Sequence, residues 1–206
     1  MDPRAQRSLD RLRVAVLHLA AETPITKITA VAVCRAAGVT RETFYQHTGS
    51  PTELLVAALA ADVNADVGDA FPEIDARRSG GHDASTPFDA GERALLAHVS
   101  RQGEVYRRNA APKLAAPLRE HLEGMILRQL RAHLGSYPEI VPTQMSDATP
   151  NELDMIAAYA ASGTVGAIEV WLHAPEIDLE RAVRVIFAAS PAWWLRFPDA
   201  PATSTW

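Results

Sequence analysis

Apolar residues recur along this chain at the spacing of α-helices, and no segment shows the alternating pattern of a half-buried strand. In the first segment, one helical face would carry Leu9, Leu12, Val16 and Leu19. The pattern predicts helices over 3–21, 29–37, 40–47, 51–70, 88–109, 117–134 and 149–173, and one helix after Asp178 that ends or kinks at Pro191. Residues 72–87, rich in Pro, Gly, Ser and Asp, are predicted to be a flexible connection, and 135–148 a loop. The expected fold is therefore all-α.

Capping residues fix several of these helix ends. Gly38 is suited to close a helix, because glycine adopts the left-handed conformation at little steric cost. Thr40 follows at the position of an N-cap, so two short helices are joined by three or four residues. The sequences 50–53 and 149–152 share the order cap, proline, any residue, glutamate, which predicts a capping box at the start of each long helix.

The second short helix, 40–47, has a surface that its own packing does not use. It spends only Phe44 and part of Tyr45 on apolar burial. The remaining side chains are polar: Arg41, Glu42, Thr43, Gln46 and His47. A short polar helix held by a tight turn is the arrangement of a helix-turn-helix, whose second helix fits the major groove of DNA.

Within residues 7–60 the chain resembles the TetR-type (tetracycline-repressor-like) transcriptional regulators. The resemblance is carried by Ile28, Thr29, Ala32, Ala36, Gly38, Val39, Thr40, Phe44, Tyr45, His47, Glu53 and Leu54. It implies a helix-turn-helix DNA-binding domain over 1–50, followed by an effector-binding and dimerisation domain over 51–206. Two positions depart from the family pattern: Thr48 stands where an aromatic residue is usual, and Pro51 replaces a lysine that touches a phosphate.

The resemblance implies a role for each polar residue of the helix-turn-helix. The residues expected near base edges are Thr40, Arg41, Glu42 and Gln46, with Thr43 beside them; arginine suits guanine and glutamine suits adenine. The residues expected to hold phosphates are Thr29, Tyr45 and His47. For His47, hydrogen bonding within the protein surface or core is the alternative.

Charge is distributed unevenly between the two predicted domains. Residues 1–60 contain seven Lys and Arg against five Asp and Glu, a net charge of +2, whereas the remainder contains 13 against 20, a net charge of −7. A mildly basic end on an acidic body fits a protein that presents one end to phosphates. The basic excess is small, so non-specific affinity for DNA should be modest and should fall quickly with salt.

Composition and motifs narrow the classes of protein to which the chain could belong. The chain has 206 residues, of which 48% are hydrophobic, and a single cysteine, Cys34, which excludes an intrachain disulfide. No run of about 18 apolar residues and no apolar leader segment is present, so a cytoplasmic location is expected. The seven histidines lack metal-ligand spacing, and no phosphate loop, nucleophile elbow or carboxylate pair appears, so we expect no metal, no cofactor and no catalysis.

Two further sets of residues are candidates in the second domain. A small-molecule effector of unknown identity would lie between the helices of 88–173, against His98, Tyr106, Leu122, Met125, Ile126, Tyr159 and Trp171. Ordinary core packing is the alternative for each, because pocket and core use the same residue types. A homodimer interface would use Gly163, Gly166, Ala167, Val183, Ile186 and Phe187, where small residues let another helix approach closely. Intrachain packing of the same stripe is the alternative, and the resemblance favours the dimer.

The leading interpretation is a ligand-responsive DNA-binding regulator, most simply a repressor released from its operator by a small molecule. Two other classes stay open on the sequence alone. One is a helical small-molecule-binding protein or enzyme that retains the three-helix head as structure, and the other is a partner-binding adaptor.

Overall fold

The structure, a computed structural model, describes residues 3–78, 87–136, 141, 145, 147–176 and 178–190, with side chains described outside 65–78, 87–90 and 136. Within this part of the chain every regular element is helical. The helices are α1 (Pro3–Glu22), α2 (Ala30–Ala37), α3 (Arg41–His47), α4 (Pro51–Arg78), α5 (Pro87–Arg101), α6 (Gly103–Arg108), α7 (Ala116–Ser136), α8 (Pro150–Leu172) and α9 (Leu179–Ala189), with a short 3-10 turn at Ile25–Lys27. The all-α prediction is confirmed.

The helix and the connection predicted over 51–87 differ from the structure. The helix expected over 51–70 continues to Arg78, so the flexible connection predicted for 72–87 is wrong for 72–78 and for Pro87; residues 79–86 lie outside the described part. Helix α4 continues past Pro72, because the residues after this proline include good helix formers such as Glu73, Ala76 and Arg77. Pro191 also lies outside the described residues, while α9 ends at Ala189 as the sequence predicts.

The single helix predicted over 88–109 is two helices. Gln102 has φ −92° and ψ 21°, outside the helical range, and α6 begins at the buried Gly103. Glycine costs about 1 kcal/mol inside a helix relative to alanine, so the break falls where the helix is weakest. The Gln102 side chain donates from Nε2 to Asp62 Oδ2 at 2.9 Å, which holds the break against α4.

Helix ends follow the capping rules. The hydroxyl of Thr149 accepts from the Glu152 backbone N–H, and the Glu152 carboxylate accepts from the Thr149 backbone N–H at 2.7 Å, which completes the predicted capping box. Asp178 caps α9 by accepting from Arg181 N. At the start of α4 the cap differs in one detail, because the Glu53 carboxylate accepts from Gly49 N at 3.0 Å instead of from Ser50 N.

One hydrophobic core runs from the three-helix head into the body. In the head it includes Leu12, Val16, Val33 and Phe44, each fully buried. Helix α4 contacts α1 in the head and α5 and α7 in the body. In the body, α7 and α8 pair antiparallel and are joined by two ion pairs, Arg119 to Glu169 and Arg131 to Asp154. Because α4 serves both parts, the head is not an isolated module.

The carboxamide of Asn109 joins the head to the body. Pro24 has no N–H, so the Ala20 carbonyl near the end of α1 lacks its ordinary helical donor. The Asn109 Nδ2 group donates to Ala20 O at 3.2 Å and to Val105 O at 2.8 Å, and its Oδ1 accepts from Ile25 N at 2.7 Å. Asn109 is 6% exposed, so water cannot readily replace these hydrogen bonds. One side chain therefore satisfies a backbone acceptor before Pro24 and a backbone donor after it.

Replacing Asn109 with leucine should destabilise the fold. The change keeps a branched side chain of similar length but leaves the buried Ile25 N–H and Ala20 carbonyl without partners, at a cost of roughly 1–3 kcal/mol each. Urea unfolding followed by circular dichroism measures this as a lower midpoint. The matched control is Asn64→Leu on the exposed side of α4; equal midpoints for the two variants would contradict the role of Asn109.

Candidate nucleic-acid interface

The turn between α2 and α3 has a fully determined backbone. Gly38 has φ 62° and ψ 41°, the left-handed conformation that glycine permits. Val39 N donates to Cys34 O at 3.1 Å and Gly38 N to Arg35 O at 3.3 Å, the two bonds of a Schellman motif. Thr29 caps the other end of α2 by accepting from Ala32 N at 3.2 Å. The predicted helix-turn-helix is thus present with its turn closed by local hydrogen bonds.

Helix α3 is held by one cap and one buried ring. The Thr40 hydroxyl accepts from Thr43 N at 3.1 Å and lies 2.9 Å from the Thr43 hydroxyl. Phe44 is fully buried, and Tyr45 packs against it edge-on with ring centroids 5.2 Å apart while remaining 53% exposed. This confirms that α3 uses very little of its surface for its own packing.

The outward side of α3 carries four exposed side chains of different chemistry. They are Arg41, Glu42, Tyr45 and Gln46, which repeat at one and four residues and therefore share one helical face. Thr43 and His47 are half-buried at its edges. A guanidinium and a carboxamide on one short helix supply the donors and acceptors that read base edges.

The two positions that depart from the family pattern have local partners. Thr48 donates from its hydroxyl to Ser50 O at 3.0 Å, so a hydrogen bond replaces the packing of an aromatic ring. Pro51 occupies the first position of α4, where its missing N–H costs nothing. Neither residue supplies a positive charge to this end of the molecule.

Sequence reasoning overlooked Arg11 of α1 in this region. Its Nη1 lies 3.5 Å from Gly38 O, beside the turn of the helix-turn-helix. The contact joins residues 27 positions apart. Only the packing of α1 across the head reveals it.

Six of the seven effector candidates lie in or beside the interior of the body. His98 and Tyr106 are fully buried, and His98 Nε2 lies 3.1 Å from the Tyr106 hydroxyl. Burial raises the pKa of the Tyr106 phenol well above its ordinary value, and the charge of Asp62 raises it further. The others of the six are Leu122, Met125 and Ile126, all buried, and Trp171, half-buried. Tyr159 differs: it is 80% exposed on the outer face of α8 and lines no part of the interior.

A groove that the sequence did not indicate lies between the head and the body. Its volume is about 340 Å³. It is lined by Val14, Leu17, His18 and Ala21 of α1, by Arg101 and Gln102, and by Glu104 and Val105 of α6. Because these two segments are some 80 residues apart, no local pattern could have placed them together.

The dimer candidates divide into two groups. Gly163 and Gly166 face open space, and a Cβ added to either would meet nothing within 4 Å. Val183 and Ile186 are 2% and 6% exposed in the core of their own chain, and Ala167 and Phe187 pack against that core. The inclusion of Val183 and Ile186 in a free interface is therefore corrected: both side chains are buried in the core of their own chain.

The outer face of α8 is apolar and uncovered. It exposes Met155 (64%), Tyr159 (80%) and Val170 (75%) on either side of the two glycines.

Among the described helices α8 also has the length and hydropathy of a membrane span, with 39% of that window buried in the fold. Within the same residues, no three His, Cys, Asp or Glu side chains come together as metal ligands would.

Comparison with known proteins identifies the fold. No family model and no curated protein sequence matches the chain. Among solved structures, the fatty acid degradation regulator FadR from Bacillus halodurans aligns over 95% of this chain and 96% of its own, with a TM-score of 0.59 and 16% identity. A TetR-family transcriptional regulator from Streptomyces coelicolor aligns over 89% and 80%, with a TM-score of 0.53 and 15% identity.

The chain has the TetR-type fold. The similarity spans nearly the whole chain, so the fold implied by the resemblance over 7–60 is confirmed for the body as well as for the head. At this level of identity the TetR-type fold is what the two structures share with the chain.

Proposed function

We propose that this chain is a DNA-binding transcriptional regulator in which α3 docks in the major groove. The observation that carries the proposal is the free face of α3, where Arg41, Tyr45 and Gln46 stand exposed on a helix anchored only by Phe44 and a capped turn. A structural helix of seven residues would be expected to bury more of its surface than one ring. Both similar solved structures are regulators by name, which supports the proposal.

The capped termini suit phosphate contact. Thr29 accepts a backbone N–H through its hydroxyl oxygen, which leaves its hydroxyl proton available to a phosphate oxygen. Thr40 and Thr43 share one hydrogen bond between their hydroxyls, so one of the two keeps a proton available. Tyr45 adds an exposed phenol, and His47 lies half-exposed at the end of α3. With these residues holding the backbone, Arg41 would reach guanine and Gln46 adenine, with Thr40, Glu42 and Thr43 beside them.

A second copy of the chain is the occupant that fits the outer face of α8. Gly163 and Gly166 allow a helix to approach closely, while Met155, Tyr159 and Val170 supply apolar area around them. A bilayer fits less well, because α8 carries Asp154 and Glu169 in ion pairs with α7. A symmetric dimer would present two copies of α3, as a palindromic operator requires.

We further propose that a small molecule controls DNA binding and that the protein acts as a repressor. The supporting feature is the buried polar pair of His98 and Tyr106 within the apolar core to which Leu122, Met125 and Ile126 also belong. Pockets for small molecules combine apolar walls with a few placed polar groups. A ligand that favours one arrangement of the body would change the affinity of the head for DNA. DNA would change the affinity for the ligand by the same coupling free energy.

Alanine at Arg41 or Gln46 should weaken sequence-specific binding while leaving the fold intact. Removal of either base-reading side chain should cost about 1–3 kcal/mol on the specific site and much less on random DNA. Fluorescence anisotropy would compare a duplex from the region upstream of the gene with a scrambled duplex. Arg128→Ala, an exposed change on α7, is the control and should alter neither affinity. Equal effects on both duplexes would show that Arg41 and Gln46 do not read bases.

Gly166→Arg should convert the proposed dimer into a folded monomer. The new side chain has room within the protomer, but in a close helix contact it would overpack the interface and bury an unpaired charge. Affinity for a two-half-site duplex should then fall by roughly 10²–10⁴, because the second head loses its tether.

Gly135→Arg is the matched control, since a Cβ at Gly135 on α7 also meets nothing within 4 Å. Light scattering and circular dichroism would be recorded on both variants together with DNA binding. A Gly166→Arg protein that is still dimeric and still binds would place the interface elsewhere. General unfolding of that variant alone would indicate that the glycine face is packed within one chain.

A further inference from the structure

Helix α1 carries a row of arginines on one face. Arg4, Arg7 and Arg11 are separated by three and four residues, which places them above one another on the helix surface. All three are exposed, and together with Ser8 and Asp10 they line one surface groove. The row lies outside the helix-turn-helix, so it belongs to none of the contacts proposed above.

The direction of α1 places this row at the DNA-facing end of the head. The C-terminal end of α1 is fixed to the body through Ala20 O and Ala21 O, which accept from Asn109 and Arg108. Arg7 precedes Ala20 by 13 residues, a rise of roughly 20 Å along the helix away from that joint. Arg11 reaches Gly38 O in the turn that precedes α3. The row and the reading helix therefore meet at the end of the molecule that is far from the body.

The neighbouring carboxylate of Asp10 is not paired with Arg7 or Arg11. Asp10 accepts instead from Gln6 at 2.9 Å and pairs with Arg13 at 3.9 Å. Within the described part of the chain Arg7 forms no ion pair, and Arg11 contacts a carbonyl. Body arginines contrast with them: Arg93 pairs with Glu180 at 2.7 Å, for example. Exposed guanidinium groups without a carboxylate are suited to bind phosphate oxygens.

We propose that Arg7 and Arg11 form a second row of phosphate contacts on the DNA backbone beside the groove that α3 enters. The inference rests on the proposed function and extends the interface from the helix-turn-helix to α1. It also supplies positive charge that the start of α4 lacks, since its first turn begins with Pro51 and carries the acidic Glu53.

The salt dependence of DNA binding tests this directly. Arg7→Gln, Arg11→Gln and the corresponding lysine variants would be titrated into a random duplex and an upstream duplex at several salt concentrations. Each glutamine change should lower the slope of log affinity against log salt by about 0.9 for every phosphate that the arginine neutralises on the duplex. Affinity should fall by the same factor on both duplexes, and lysine should preserve the slope because it retains the charge. Arg128→Gln, an exposed arginine on α7, is the matched control and should leave the slope unchanged.

The outcomes separate this inference from the proposed function. If the wild-type chain binds with a salt-dependent slope but both glutamine variants retain it, the arginine row is not part of the interface and the regulator proposal stands. Weaker binding confined to the upstream duplex would also overturn the inference, because it would indicate base reading. If the wild-type chain binds neither duplex, both proposals fail. Circular dichroism of Arg11→Gln checks that the helices stay intact when the contact to Gly38 O is lost. Arg7→Gln tests the role of the arginine row in DNA binding without changing that contact.

Discussion

A carbonyl left without a donor fixes how the head of this protein sits on its body. Pro24 ends α1 and removes the N–H that Ala20 O would otherwise accept, and Asn109 supplies the replacement. The two residues before it make related contacts: Arg108 donates to Ala21 O at 3.4 Å, and Arg107 donates to Leu172 O at the end of α8. Consecutive residues at the end of α6 thus bind the C-terminal ends of α1 and α8. The orientation of α3 relative to the body depends on this joint.

The joint gives the proposed regulation a physical route. In the proposed dimer α8 carries the interface, and α6 connects its end to α1, which crosses the helix-turn-helix. Tyr106 belongs to α6. A ligand beside His98 and Tyr106 could therefore shift α6, and through it the contacts that α6 makes with α1 and α8. Any change in the tilt of α6 would alter the separation of the two copies of α3, and binding at the operator depends on that separation.

Structural features that depend on nearby residues could be predicted from the sequence, whereas contacts between distant segments could not. Gly38, Thr40 and Thr149 set helix ends through hydrogen bonds within a few residues, so their capping could be predicted from the sequence. The contact that holds the break at Gln102 against α4 comes from Asp62, 40 residues away, and the joint at Asn109 depends on a turn more than 80 residues away. Periodicity showed that Val183 and Ile186 are buried, but it could not show whether their partner is the same chain or another. For the candidate site, the polar face of α3 was evident, whereas Arg11 required the packing of α1.

In the proposed function, the end of the molecule formed by α3 contacts duplex DNA. Amide chemical-shift mapping of isotope-labelled protein titrated with an upstream duplex tests it without substitution. We expect the largest shifts at Thr29, across Arg41–His47 and around Arg7 and Arg11, with α7 little affected. Shifts concentrated in the body, with residues 40–47 unchanged at saturating duplex, would contradict it.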